Sequence, residues 1–305
     1  MPKELRYLLI GAVLGGLVVY FLRPEPVAQQ VQVPQVLEPQ INNGTIAGYS
    51  LPDSITFAGE RVPMERPDVR ERLDREVQVN AFWHSNAIIL IKRAHKWLPL
   101  LDSILVANEV PSDFKYLAVA ESGLQNVISP AGAVGFWQFL KGTAGDFGLI
   151  VNGQVDQRYD PIAATVAACD YLKWSYERLG NWTMVAASYN MGLTATRRVV
   201  ENQRAESYYD MNVSEEPSRY VFRIIALKNL LENPELFSFQ VDEEDLYQFP
   251  DTKSVVIDSS VSDWNDFAAQ YDMSYYQLRQ LNPWIRDYKL TLRTGQKYTV
   301  LVKNN

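Results

Sequence analysis

The stretch YLAVAESGLQNVISPAGAVGFWQF, residues 116–139, decides how this chain is read. It opens on an apolar run, 116–120, with Ser112-Asp113 before it as a helix start and Gly123 after it as a stop. The spacing predicts a helix over 114–122 that Ser112-Asp113 caps. Glu121 then sits one turn after Leu117 and Ala118, near the helix carboxy terminus. The negative end of the helix dipole opposes ionisation there. Apolar neighbours oppose it further by desolvation. Both effects push the carboxyl pKa upward, which a general acid needs at neutral pH. Raising a Glu from about 4.3 to near 7 takes roughly 3.7 kcal/mol of differential interaction. The plainer alternative is a glutamate fraying off a helix end. Residues 129–139 come next, as a turn that leads into aromatics around Gln138. Gly132 and Gly135 are read as points where backbone approaches a ligand closely. Trp137 offers a ring face to sugar C–H edges, and Gln138 an amide for hydroxyl or acetamido groups. A glycine-bearing turn with core aromatics is the alternative.

Working outward, the surroundings are helical. Val69, Leu73 and Val77 recur at four-residue spacing within an apparent helix 70–98, with a buried run at 88–91 and Pro99 disturbing its end. Asp160-Pro161 opens another helix, with Ile162, Val166, Cys169 and Leu172 inward and Gly180 beyond its end. Asn181 caps a helix over 182–189 that Gly192 closes. A last helix runs over 219–231, before Pro234. Between 68 and 235 no alternating strand pattern stands out. Residues 252–302 change character and read β-α-α-β.

Composition bounds the function. The 305 residues are 47% hydrophobic and 21% charged, which suits about two globular domains. The net charge is −7, from 36 acidic and 29 basic residues, with no basic run, so nucleic acid is excluded as a partner. Cys169 stands alone and supports neither an intrachain disulfide nor a thiolate metal site. His84 and His95 fall on one face of the apparent helix but roughly 16 Å apart at the helical rise. No metal site and no cofactor are expected.

At the amino terminus, residues 7–22 form an uncharged apolar run between Arg6 and Arg23. Its helical length of about 24 Å is short of the hydrocarbon core, but flanking arginines extend the span by snorkelling. A membrane anchor over 1–23 is the preferred reading and a cleaved signal peptide the alternative. Either one exports the chain beyond residue 23. Residues 24–67 read as a Pro/Gln-rich linker, with the globular part beginning near Asp68.

The residues now become familiar. AESG at 120–123, SPAGAVGFWQF at 129–139, ASYNMG at 187–192 and EPSRYV at 216–221 resemble, in this order, the motifs of soluble-type lytic transglycosylases. The resemblance covers about 68–235. It implies a lysozyme-like α-helical catalytic domain over 68–240, acting on peptidoglycan glycan strands. It implies Glu121 as catalytic acid and base. It places Ser129 and Gln138 along the saccharide cleft, Tyr189 and Asn190 on the substrate's acetamido and hydroxyl groups, and Tyr220 beside Glu121. Phe136 stands where leucine is more usual, and Ser188 where alanine is. The implied reaction cleaves the β-1,4 bond from N-acetylmuramic acid to N-acetylglucosamine without water, giving 1,6-anhydromuramoyl ends. A goose-type lysozyme-like hydrolase and an inactive wall-binding scaffold are the alternatives.

Residues 252–302 resemble a LysM module, through Leu281-Asn282-Pro283 and Thr294-Gly295-Gln296. Ser259 to Asp263 stand where that pattern expects a Gly-Asp-Thr turn beside the sugar site. Glycan binding and structural packing on the catalytic domain both remain open for it. The expected protein is thus mainly α, with an N-terminal transmembrane helix and a small C-terminal βααβ domain. It is expected in the bacterial envelope, anchored in the inner membrane with its catalytic domain on the extracytoplasmic side.

Overall fold

The computed structural model describes residues 48–304. The expected anchor, 1–23, and most of the expected linker lie outside the described residues. Among those described, no helix is long and apolar enough to cross a membrane.

The helices are α1 (Pro67–Phe82), α2 (His84–Ala107), α3 (Lys115–Ser122), α4 (Lys141–Asp146), α5 (Pro161–Leu179), α6 (Trp182–Met191), α7 (Leu193–Gln203) and α8 (Glu215–Glu232). Helix α3 is the innermost: Tyr116, Leu117, Ala118 and Val119 are all buried. A short helix apolar on nearly every side is stable only when enclosed. It packs against α8 and α2. Helix α1 also lies along α8, and Arg219 reaches from α8 to the buried Glu76 of α1 at 2.6 Å.

Several capping expectations match the structure. Asp160 accepts from the backbone N–H groups of Ile162 and Ala163 at the start of α5, and Asn181 from that of Met184 in α6. Gly123 and Gly180 close α3 and α5 in the left-handed conformation.

Others need correction. The apparent helix 70–98 breaks at Trp83, whose ψ of 64° leaves the helical range. Packing drives the break: the Phe82 ring meets Tyr49 at 5.3 Å, and His84 meets Phe239 at 5.8 Å. His84 and His95 both lie after the break, within α2, so their separation of roughly 16 Å along one helix holds. Pro99, expected to disturb the helix, sits on an exposed position inside α2, which continues to Ala107. Water can satisfy the carbonyl that proline leaves unpaired there. Ile162 and Val166 face outward, 45% and 41% exposed, because α5 buries its small residues Ala164, Ala167 and Ala168 instead. Ser112-Asp113 does not cap α3. Ser112 donates to Asp102, and Asp113 accepts from the Ala58 N–H and holds Lys228.

The last contact belongs to a larger correction, since residues 48–66 are not a tether. They carry β1 (Thr56–Phe57) and β2 (Glu60–Arg61), an antiparallel pair. Phe57, Val62 and Met64 are in the core. Glu60 accepts from the N–H groups of Trp182 and Thr183 at 2.6 and 2.9 Å, a carboxylate placed on the positive end of α6.

The carboxy-terminal module has the expected order. Strands β3 (Thr252–Ile257) and β4 (Tyr298–Lys303) pair antiparallel with Val255 opposite Val300. Between them lie α9 (Trp264–Ala269) and α10 (Tyr275–Leu281). Ser274 and Gln277 form a capping box on α10. The buried Asn282 donates to the Leu301 carbonyl and accepts its N–H, which pins β4 to the end of α10.

Gly135 has a role the sequence did not suggest. A Cβ there would lie 1.9 Å from the Arg158 carbonyl oxygen, and its φ is +82°. The close approach is to the protein's own backbone, not to a ligand. Gly135→Ala is expected to lose more than about 3 kcal/mol of stability, from overlap and backbone strain together. Chemical denaturation measures this, and an unchanged midpoint would contradict the packing described.

Candidate active site

Glu121 lies in the last turn of α3, partly buried, next to the buried Ser122. The Tyr220 hydroxyl, from the first half of α8, donates a short hydrogen bond to Glu121 Oε1. Burial pushes the Glu121 carboxyl from its ordinary 4.5 up to about 7. The Tyr220 hydrogen bond and the positive charge of Arg223 oppose the shift, while the negative charge of Glu216 adds to it. Desolvation wins because two helices enclose the group and no cation pairs with it directly. Burial and the neighbouring Glu121 hold the Tyr220 phenol well above its usual range, so it stays a donor.

The other expected residues divide between the 128–139 segment and α6. Residues 128–139 form a tight hairpin, with bridges from Val134 to both Ile128 and Phe139. Ser129 Oγ accepts the Ala133 N–H at 3.0 Å, which closes the turn and leaves the hydroxyl proton for another partner. Gln138 adopts a φ of +49°, an uncommon conformation for a side-chain-bearing residue. Its amide nitrogen donates to the Val127 and Gly135 carbonyls at 3.2 and 2.7 Å. What it can offer a ligand is its carbonyl oxygen.

Tyr189, in α6, donates to the Trp137 carbonyl at 2.7 Å and packs edge-on against Tyr171. That bond couples α6 to the hairpin and leaves its oxygen free only to accept. Asn190 is exposed on the next position. The structure thus joins Glu121 to Tyr220, and Tyr189 to the hairpin that carries Ser129 and Gln138. Trp137 is a correction: it is fully buried, and its indole N–H donates to Thr165 Oγ1 at 2.9 Å, so its ring offers no face to a sugar. A cavity of about 990 Å³ opens elsewhere, lined by residues of α2, the start of α3, the end of α8 and the 239–249 segment, and not by Glu121.

Some contributors carried no sequence signal. Ser122 Oγ donates to the Phe136 carbonyl at 3.0 Å and ties α3 to the hairpin. Arg223 grips Glu216 with two hydrogen bonds, 2.9 and 3.1 Å. Their seven-residue separation lies outside the three- and four-residue spacings by which helix-surface pairs are recognised. Arg158 holds the hairpin from below. No group of three or more His, Cys, Asp or Glu side chains suited to a metal occurs among the described residues.

Known families and proteins match parts of the chain. The family model described as the transglycosylase SLT domain matches residues 106–212. That described as the soluble lytic transglycosylase C-terminal LysM-like domain matches residues 253–304. The chain therefore carries an SLT domain followed by a LysM-like domain. It is 22% identical over 202 residues to membrane-bound lytic murein transglycosylase D of Escherichia coli strain K12, covering 63% of this chain. The counterpart from E. coli O6:H1 matches to the same extent. The aligned part spans only 44% of that relative's length. Among solved structures, the 70 kDa soluble lytic transglycosylase of E. coli matches at 24% identity and a TM-score of 0.40, over 46% of this chain and 24% of its own. An inactive mutant of Slt from Pseudomonas aeruginosa matches at 21% and 0.37, over 48% and 26%.

The raised carboxyl has a consequence for stability. The folded state binds this proton more tightly than the unfolded chain does. Its contribution is therefore fully present below about 4.5 and is lost as pH rises to about 7. Above that, ionised Glu121 costs the fold roughly 3 kcal/mol. Glu121→Gln is expected to be more stable than wild type at pH 8, with the gap closing toward pH 4. Urea denaturation at both pH values checks this, and an equal difference at both would contradict it.

Proposed function

We propose that this protein is a peptidoglycan lytic transglycosylase, with Glu121 as its acid and base. The observation that carries the reading is the enclosed Glu121 carboxyl, shifted to about 7 and hydrogen-bonded by Tyr220. Near neutral pH such a group holds a proton part of the time and can both give and take one. Protonated Glu121 donates to the glycosidic oxygen as the bond to C1 of N-acetylmuramic acid lengthens. The sugar's own acetamido carbonyl steadies the cationic carbon. Deprotonated Glu121 then removes the proton of the C6 hydroxyl, which closes on C1 to give the 1,6-anhydro end. A nucleophile within the same sugar has a high effective molarity.

Ser129, Gln138, Tyr189, Asn190 and Tyr220 complete the proposed site. Through its hydroxyl and amide carbonyl, the hairpin is suited to orient glycan. Tyr220 aims the carboxyl. The pairing of two carboxylates, Glu216 and Asp156, favours this reading over hydrolysis. Glu216 is held by Arg223 and Asp156 by Arg158, so neither is at liberty to activate water. Residues 7–22 serve in this proposal as an inner-membrane anchor that keeps the enzyme on the extracytoplasmic face. The LysM-like module adds affinity for glycan strands.

Purified protein incubated with isolated sacculi is expected to release muropeptides one water lighter than hydrolysed ones, read by mass spectrometry. Reducing muramic ends alone would mean hydrolysis. Equal release by wild type and Glu121→Gln would remove Glu121 from its role.

Because the first step needs protonated Glu121, kcat/KM is expected to fall as pH rises through about 7. The Tyr220 hydrogen bond holds that pKa down, so Tyr220→Phe is expected to move the fall to higher pH. Its rate should drop about 10- to 100-fold from lost aim. A pH profile that stays in place would contradict the assigned contact.

A further inference from the structure

We propose that the carboxy-terminal module is a structural part of the saccharide cleft, and that Arg158 is the positioning residue through which it holds the 128–139 hairpin. The module does not hang on a linker. The Val155 and Ile285 backbones form an antiparallel bridge between the two domains. The Asp156 N–H donates to the Trp284 carbonyl, and the Arg286 N–H to the Gln154 carbonyl, both at 2.9 Å. The Gln154 side chain accepts the Thr291 N–H at 2.9 Å. Val155, only 1% exposed, belongs to the module's hydrophobic core together with Trp264 and Ile285. The Arg286 guanidinium lies 4.1 Å over the Tyr159 ring. A catalytic-domain loop is thus built into the module's own interior.

The same loop turns back toward the hairpin. Asp156, whose N–H the module holds, grips Arg158 through two hydrogen bonds of 3.0 and 2.7 Å. Both side chains are about 10% exposed. The remaining arm of Arg158 donates to the Gly132 and Phe139 carbonyls, both at 3.3 Å. Its own carbonyl occupies the space against Gly135 where a Cβ would collide. Asn126 adds a bond to the Tyr159 carbonyl at 3.0 Å. Arg158 therefore touches the base of the hairpin at its turn and at its end.

A planar guanidinium suits this task. It bonds a carboxylate with two N–H groups and still reaches carbonyls on another side, whereas an ammonium has neither the fork nor the span. The hairpin carries Ser129 and Gln138, while Glu121 and Tyr220 rest on α3 and α8. Loosening the clamp should therefore weaken glycan binding in ground state and transition state alike, which raises KM and spares kcat.

The inference rests on the transglycosylase reading, so the experiment first requires that full-length wild type cleave and that Glu121→Gln not. Absence of cleavage by wild type would fail that reading and not the clamp. The assay compares an uncrosslinked GlcNAc–MurNAc tetrasaccharide with long glycan strands. Arg158→Lys keeps the charge beside Asp156, and Gln154→Ala/Arg286→Ala loosens docking without orphaning a buried charge. Arg158→Lys is expected to raise KM about tenfold and the docking pair three- to fivefold. Both should leave kcat within threefold and the pH profile in place. An unchanged KM in folded Arg158→Lys would overturn the clamp. So would a KM rise in the docking pair that appears only with long glycan strands, because the module would then act by capturing substrate alone.

Discussion

The bond from the Tyr220 hydroxyl to Glu121 sets the terms for the rest of the molecule. It requires the end of α3 and the first half of α8 to meet with little tolerance. It also requires the pair to be shielded from water without a cation closing on the carboxylate. Those demands explain why α3 is short and apolar on nearly every side, and why Arg219 and Arg223 of α8 turn toward α1. Arg219 and Arg223 lean on Glu76, 2.6 and 3.6 Å away, instead of neutralising Glu121. With Glu216 bonded to Arg223, the nearby charges oppose one another in their effect on Glu121 and desolvation decides its pKa. Tertiary enclosure therefore supplies the shift that helix-end position alone suggested.

A second constraint falls on the hairpin of Ser129 and Gln138. Its own hydrogen bonds close the turn, and contacts from outside fix its place. Ser122 holds it from α3, Tyr189 from α6 and Arg158 from the loop that enters the carboxy-terminal module. Gln138 is kept in a left-handed conformation that such a short segment would not hold unaided. The proposed binding groups are set by rigid surroundings, so a loop achieves a precision normally reserved for helices and strands.

What was legible in the sequence was local. Asp160, Asn181, Gly123 and Gly180 act on backbone groups within a few residues, and each is found at the helix end expected of it. Glu121 stood out because one turn of helix fixes what lies beside it. The features that were missed depend on partners far along the chain. Trp83 breaks a helix because Tyr49 and Phe239 capture the flanking rings. Ile162 faces water because α5 is turned by its alanines. Gly135 is small for the sake of Arg158, and Trp137 is buried against Thr165 rather than presented to a ligand. Residues 48–66 looked like linker because their few apolar side chains follow no period, yet Phe57 and Glu60 lock them to the core. Pattern reading recovers contacts that arise from periodicity, and long-range contacts carry none.

The central claim is that residue 121 carries a proton near neutrality in the free protein. The direct measurement is the titration of its carboxyl carbon by NMR in glutamate-labelled protein, assigned by loss of the signal in Glu121→Gln. A midpoint close to 7 is the result predicted from the burial of this group. A midpoint near the ordinary 4.5 would mean that the carboxyl is solvated and cannot act as the acid.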